Sequence, residues 1–342
     1  MSLREPVGHD AIRAGLKSAA AFAASGGSSQ LHHAWLFAGP AGVGKFLTAR
    51  WWASILKCPE LGACGGTCAS CRLVAGAVHP DVFETGPAPK DKNAVQSADE
   101  EIERKRLVGI DQSRALIQRL TLRPTRPGPR IAIMREAGMM TPEAQNALLK
   151  ILEEPLGFAV IILVTDNPGA MLPTVRSRCR HLVFGTLSED EVAAVLVDLG
   201  RSEAEARTAA ACSHGSVARA LDYDDEGLAG RELVLLAYEA ARRDPLAIEP
   251  LVHALVERKE SGYAMSDILE WQLAKVRASL GRRPPEPSEP LGRALDEAAA
   301  ADPAVLIGEA ETIERTIVAL SRNANARLVI RDLLLNVRAF RL

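Results

Sequence analysis

Aromatic side chains are scarce in this chain of 342 residues, at 4% of the total, and no run of 18 or more apolar residues occurs. The second absence excludes a segment that spans a membrane as a single helix. An excess of charge of either sign is also missing, since 41 Lys and Arg stand against 43 Asp and Glu and leave a formal net charge of -2. That excludes a strongly basic nucleic-acid-binding module, because neutralising phosphates takes a visible cationic excess or patch. Any DNA contact is expected from a local patch or through other subunits. Disulfide frameworks are not indicated either. There are six cysteines, and four of them fall between Cys58 and Cys71, a clustering that in a cytoplasmic protein points to metal. The alanine-rich stretch 19–24 follows Glu5 and Asp10 and leads into a Gly/Ser turn. It reads as an ordinary helix rather than a signal peptide, and the expected location is the cytoplasm. What remains, 47% hydrophobic and 25% charged residues, is the profile of a helix-rich globular protein of two or three domains.

Along the chain, helical and strand patterns alternate up to about residue 185. Helices are expected over 9–24, 45–56, 110–120 and 141–154, and strands over 35–38, 81–84, 131–134, 158–165 and 180–184. Strands separated by helices imply a parallel sheet covered on both faces. Thr141-Pro142-Glu143 marks a helix start, with Thr as N-cap, Pro in the first helical position and an acid in the first turn. Residues 86–106 are rich in Pro, Lys, Asp and Glu and are expected to form a solvated loop. Ser188 and Glu191 form a capping box flanked by Leu187 and Val192. From there to Leu342 only helices are expected, with a proline-rich loop at 281–290 and an amphipathic final helix over 324–340.

Residues 39–45, Gly-Pro-Ala-Gly-Val-Gly-Lys, fit the pattern GxxxxGK between a strand and a helix. Gly39, Gly42 and Gly44 let the backbone curl so that its N–H groups face phosphate oxygens. The helix N-terminus adds positive potential, and Lys45 would reach the outer phosphates. The next residue should offer a hydroxyl to Mg2+, but it is Phe46. The apolar strand 131–134 should end in Asp-Glu, which positions Mg2+ and activates water. It is followed instead by Arg135-Glu136. Two losses on the two sides of one metal argue for a loop without Mg2+ and without hydrolysis. Nucleotide binding itself stays open, because Lys45 and the backbone cradle remain. Further on, residues 173–180 form an arginine-rich turn containing Ser177-Arg178-Cys179. A planar, permanently charged guanidinium suits the charge of a transferring phosphoryl group, so Arg178 is the candidate catalytic group, donated to a neighbouring subunit. Cys179 is expected to be a small core residue.

Cys58, Cys64, Cys68 and Cys71 follow the spacing C-x5-C-x3-C-x2-C, with Gly62, Gly65 and Gly66 easing the turns. Four thiolates without a vacancy suit a structural Zn2+ site. His32, His33 and His79 are expected to pack or cap rather than bind metal.

Taken together, residues 31–45 (LHHAWLFAGPAGVGK), the cysteine insertion behind the next helix, 141–155 (TPEAQNALLKILEEP) and 172–179 (LPTVRSRC) resemble the bacterial clamp-loader family. The resemblance covers 6–185 strongly and implies an AAA+ fold. A nucleotide-binding-like domain would span 1–185 with its zinc insertion at 58–71, a small helical lid 186–243, and an all-α collar for oligomerisation 244–342. Phe46 and Arg135 depart from the family's motor subunits, gamma and tau. So does Ala218, which stands where a sensor arginine is expected, with Arg219 one step on. The resemblance therefore implies a non-hydrolysing member of a five-subunit ring with gamma or tau and delta subunits. Arg178 would act on an adjacent ATP site, and the assembly would load the beta sliding clamp onto primed DNA. The competing reading is an active ATPase of the gamma/tau kind with an unusual metal site. A third is a zinc-bearing interaction module unrelated to replication.

Overall fold

Five strands form one parallel sheet in the order β2–β3–β4–β1–β5. They are β1 (Ala34–Ala38), β2 (Val82–Thr85), β3 (Arg130–Met134), β4 (Ala159–Thr165) and β5 (Arg180–Val183). The computed structural model describes residues 3–25, 31–87, 107–223, 225–257, 261–282, 288–321 and 324–339. Most of the stretch expected to be a solvated loop, 88–106, therefore lies outside the described residues, as does 283–287 of the proline-rich connection.

The sheet lies between two apolar layers because its strands alternate faces. On β4, Ala159, Ile161 and Leu163 join one core, while Val160, Ile162 and Val164 join the other. The first core is completed by α4 (Ile110–Thr121), α5 (Pro142–Glu153) and the one-turn α6 (Pro173–Arg176). The second is completed by α1 (Asp10–Ala24) and α2 (Lys45–Lys57), where Trp35 and Trp52 meet edge to face. The short α3 (Ala69–Ala75) follows α2 through the cysteine segment. Helix α5 shows the local logic. The Thr141 hydroxyl accepts from the Ala144 amide, Pro142 opens the helix, and Ala144, Leu148, Ile151 and Leu152 are buried at helical spacing. Pro155, just beyond, cannot continue it.

Two compact units divide the chain, Met1–Asp222 and Tyr223–Leu342. The first includes, after the sheet, α7 (Glu189–Asp198), α8 (Glu203–Ser213) and α9 (Val217–Asp222). Capping boxes open two of these helices, Ser188 with Glu191 and Ser202 with Glu205. The second unit contains α10 (Asp225–Arg243), α11 (Ile248–Glu257), α12 (Ser261–Ser279), α13 (Glu289–Ala299), α14 (Pro303–Ser321) and α15 (Ala326–Ala339). The division at 222/223 differs from the expected lid–collar boundary at 243/244. Helix α10 carries Val234, Leu235, Tyr238 and Ala241 into the core shared by α11 to α15. That core also encloses ions. Arg242 pairs with both oxygens of Glu309 at 2.7 and 2.6 Å and with Glu239 at 3.1 Å, and Lys275 reaches Glu239 at 2.6 Å. Two cations against two carboxylates leave the buried cluster neutral, the condition under which such groups can be buried at all. Among the described residues no helix is long and apolar enough to cross a membrane.

Candidate functional site

The phosphate loop leaves the C-terminal end of β1 and enters α2 through Gly44, whose left-handed φ of 91° is open to glycine. Gly39 and Gly42 are needed for space. A Cβ at Gly39 would lie 2.3 Å from the Phe184 carbonyl oxygen, and one at Gly42 would lie 2.1 Å from the Ser216 hydroxyl. The first turn of α9 thus touches the loop directly, and the Val217 amide donates to the Gly42 carbonyl at 3.0 Å. Ala218 is the side chain facing Gly42 there. Lys45 is buried and donates to the carbonyls of Gly39 and Pro40 at 2.7 and 2.5 Å. Burial pulls its pKa below the ordinary lysine value, while the nearby Asp166 carboxylate acts in the opposite direction.

The two residues that break the metal motifs meet in space. The Arg135 guanidinium lies 5.5 Å from the centre of the Phe46 ring, and Arg50 lies 5.8 Å from the same ring. Arg50 is held in turn by Glu84 of β2 at 2.7 Å. A hydroxyl and a carboxylate are thereby replaced by a ring between cations. Glu136, the remaining acid, sits exposed at a left-handed φ of 49°.

Arg178 projects just beyond α6. One of its terminal nitrogens donates to the Thr174 carbonyl at 2.9 Å, and the other pairs with Glu153 at 2.8 Å. Cys179 is buried with its thiol against the Val175 carbonyl, and burial pushes its pKa up to about 12. At that value it is no nucleophile at neutral pH.

The four clustered cysteines converge, with all their sulfurs within 4.8 Å of one another. The separations Cys58–Cys64, Cys64–Cys71 and Cys58–Cys68 are 3.5, 3.6 and 4.0 Å. Thiolates about 2.3 Å from a tetrahedral zinc ion stand roughly 3.8 Å apart, so the donor set fits a metal such as zinc. The Cys71 amide donates to the Cys68 sulfur at 3.4 Å, so Cys68 also caps the start of α3. Without a metal the thiols differ: hydrogen bonding, led by the backbone at Cys68, draws Cys64 down to about 6, while burial pushes Cys58 and Cys71 up, so the case for a metal rests on the convergence of the four sulfurs. Of the histidines, His33 reaches the Leu152 carbonyl at 2.9 Å, and His79 accepts from the Asp81 amide at 3.1 Å.

Residues 17–188, half of the chain, match the family model described as DNA polymerase III, delta subunit. The chain belongs to this family. Among curated relatives, the DNA polymerase III subunit delta-prime of Pseudomonas aeruginosa is 37% identical over 156 residues, covering 45% of this chain and 43% of that protein. Subunit delta-prime of Bacillus subtilis is 31% identical over 216 residues, covering 61% and 60%. Subunit gamma/tau of Mycobacterium tuberculosis is 34% identical over 209 residues, covering 59% and 32%. The chain thus spans less than two thirds of the length of each.

Two features of this clamp-loader fold escaped sequence reasoning. Glu153 falls in the last turn of the helix expected over 141–154, and nothing in its spacing connects it to Arg178. The second is a fully buried ion cluster, in which Lys57 pairs with Asp81 at 3.0 Å and Arg130 with Asp81 at 3.3 Å. Its signal was available in the charged residues Lys57, Asp81 and Arg130, each bordering an apolar element.

Proposed function

We infer that the chain is a delta-prime-type clamp-loader subunit that does not hydrolyse ATP and lends Arg178 to the ATP site of a neighbouring gamma or tau subunit. The carrying observation is the contact between Phe46 and Arg135. In a working site those two positions hold Mg2+. A divalent ion about 5 Å from the guanidinium would be repelled by roughly 2–7 kcal/mol, between water-like and protein-surface dielectrics. Arg178 is the complementary half. A finger donated in trans contributes roughly 10³–10⁵ in rate, and this one is partly exposed beside a short helix. The remaining partners follow from this reading: gamma or tau and delta in a five-membered ring, and the beta clamp and primed DNA through the ring. The collar would be the all-α unit, where Leu328 and Leu335 of α15 leave apolar surface exposed. The cysteine cluster is read as one structural Zn2+, with Cys58, Cys64, Cys68 and Cys71 closing the coordination shell. Metal analysis of the purified protein is expected to return about one zinc per chain.

Reconstitution with gamma or tau and delta subunits tests the reading. Arg178→Ala is expected to preserve assembly and to lower DNA-stimulated ATPase, and unchanged activity would remove the finger role. The competing reading, an active ATPase of the gamma/tau kind, draws on the 34% identity to a gamma/tau relative. Hydrolysis by the isolated chain that disappears in Lys45→Ala would establish it.

A further inference from the structure

Resting on the finger reading of Arg178, we propose that Glu153 is its positioning residue. The guanidinium has five N–H donors. One terminal nitrogen is engaged by the Thr174 carbonyl at 2.9 Å and, more loosely, by the Ser177 hydroxyl at 3.4 Å. The other meets a Glu153 carboxylate oxygen at 2.8 Å. None of these contacts engages the Nε–H, which remains as a donor for an incoming phosphoryl oxygen. Glu153 is the last residue of α5, where the helix dipole disfavours a carboxylate. The guanidinium offsets that, and helix end and side chain together draw Arg178 to one place.

The strength of the pair suits positioning rather than locking. Its side chains are 36% and 50% exposed, and ion pairs of that exposure bias a side chain by about 1.5- to 5-fold. Such a bias preselects the rotamer, and it yields to a triphosphate that carries more charge.

The test uses the assembled complex and DNA-stimulated ATPase. Glu153→Ala is expected to lower kcat about 2- to 5-fold with little change in the KM for ATP, and Glu153→Asp is expected to recover most of the loss. In the Arg178→Ala background, Glu153→Ala should cost nothing further, because a positioning residue has no effect without the group it positions. Glu153→Gln is measured alongside, in case the alanine variant assembles poorly by size-exclusion. If Arg178→Ala lowers kcat but no Glu153 variant does, the finger stands and the positioning role falls. Equal losses from Glu153→Ala with and without Arg178, or a raised kcat, also overturn it. An inert Arg178→Ala sinks both readings.

Discussion

Replacing Asp81 with alanine probes the ion cluster between the sheet and the cysteine segment. Asp81 is fully buried and accepts from the Thr125 amide at 2.8 Å, the Thr125 hydroxyl at 2.9 Å and the Arg126 amide at 2.9 Å. Lys57 and Arg130 complete its shell. Removing the carboxylate leaves two buried cations without a counter-charge, a change that costs about 3–5 kcal/mol, against a total domain stability of about 5–15 kcal/mol. Urea unfolding followed by tryptophan fluorescence reads this directly, since Trp35, Trp51 and Trp52 all lie in the same unit as Asp81. With a slope of about 2–3 kcal/mol/M the midpoint should fall by about 1–2 M. The pH dependence has a defined sign. Burial pushes Asp81 upward, but hydrogen bonds from Thr125, Lys57 and Arg126 outweigh it and hold the carboxyl at about 2, below the ordinary 3.8. A carboxyl depressed on folding contributes stability that is full above the unfolded value and is lost as pH falls through the folded one. The gap between wild type and Asp81→Ala should therefore be constant from about pH 5 to 7 and narrow from about pH 4 toward 2. A loss below about 1 kcal/mol at pH 7 would refute the reasoning, because it would mean the cations find other partners or water.

Glu309→Ala should destabilise the all-α unit by a similar margin of about 3–5 kcal/mol, since Arg242 and Gln272 both donate to it. Trp271, which donates to Glu239 in the same cluster at 2.7 Å, reports on it by fluorescence, and an unshifted transition would count against the cluster. Phe46→Thr combined with Arg135→Asp restores a hydroxyl and a carboxylate and should make nucleotide binding at least about tenfold tighter with Mg2+ than without, by calorimetry. An affinity indifferent to Mg2+ would clear those two residues as the cause. Thr141→Ala removes the cap of α5 and should cost about 1 kcal/mol in thermal unfolding. A melt that does not move would show that Pro142 alone sets the helix start.

Legibility in the sequence followed interaction range. Helix starts at Thr141 and Ser188 were readable because cap and first turn are contiguous in the chain. The β4 strand was readable because six apolar residues in a row, Ala159 to Val164, require a covered sheet. Phe46 and Arg135 were readable as missing oxygens at known offsets from a glycine loop and a strand, on the two sides of one metal position. The direct contact of ring and guanidinium was not readable, because it depends on how α2 and β3 lie side by side. The same holds for Glu153 and Arg178, brought together by the end of α5 and a one-turn helix 20 residues later. The helix Asp225–Arg243 shows the limit for domain edges, since its amphipathic pattern says that it packs but not on which neighbour.

Lys57 and Cys58 are adjacent in the chain, yet one side chain belongs to the ion cluster around Asp81 and the other to the four-sulfur cluster. One peptide bond thus joins two sites whose geometries must be satisfied together. An ion held by Cys58 would restrain Lys57, and Asp81 would then restrain Cys58 by the same free energy, because such coupling is reciprocal. Metal affinity and unfolding free energy would then be linked. Asp81→Ala should weaken zinc retention against a chelator, although Asp81 contributes no ligand atom to the metal.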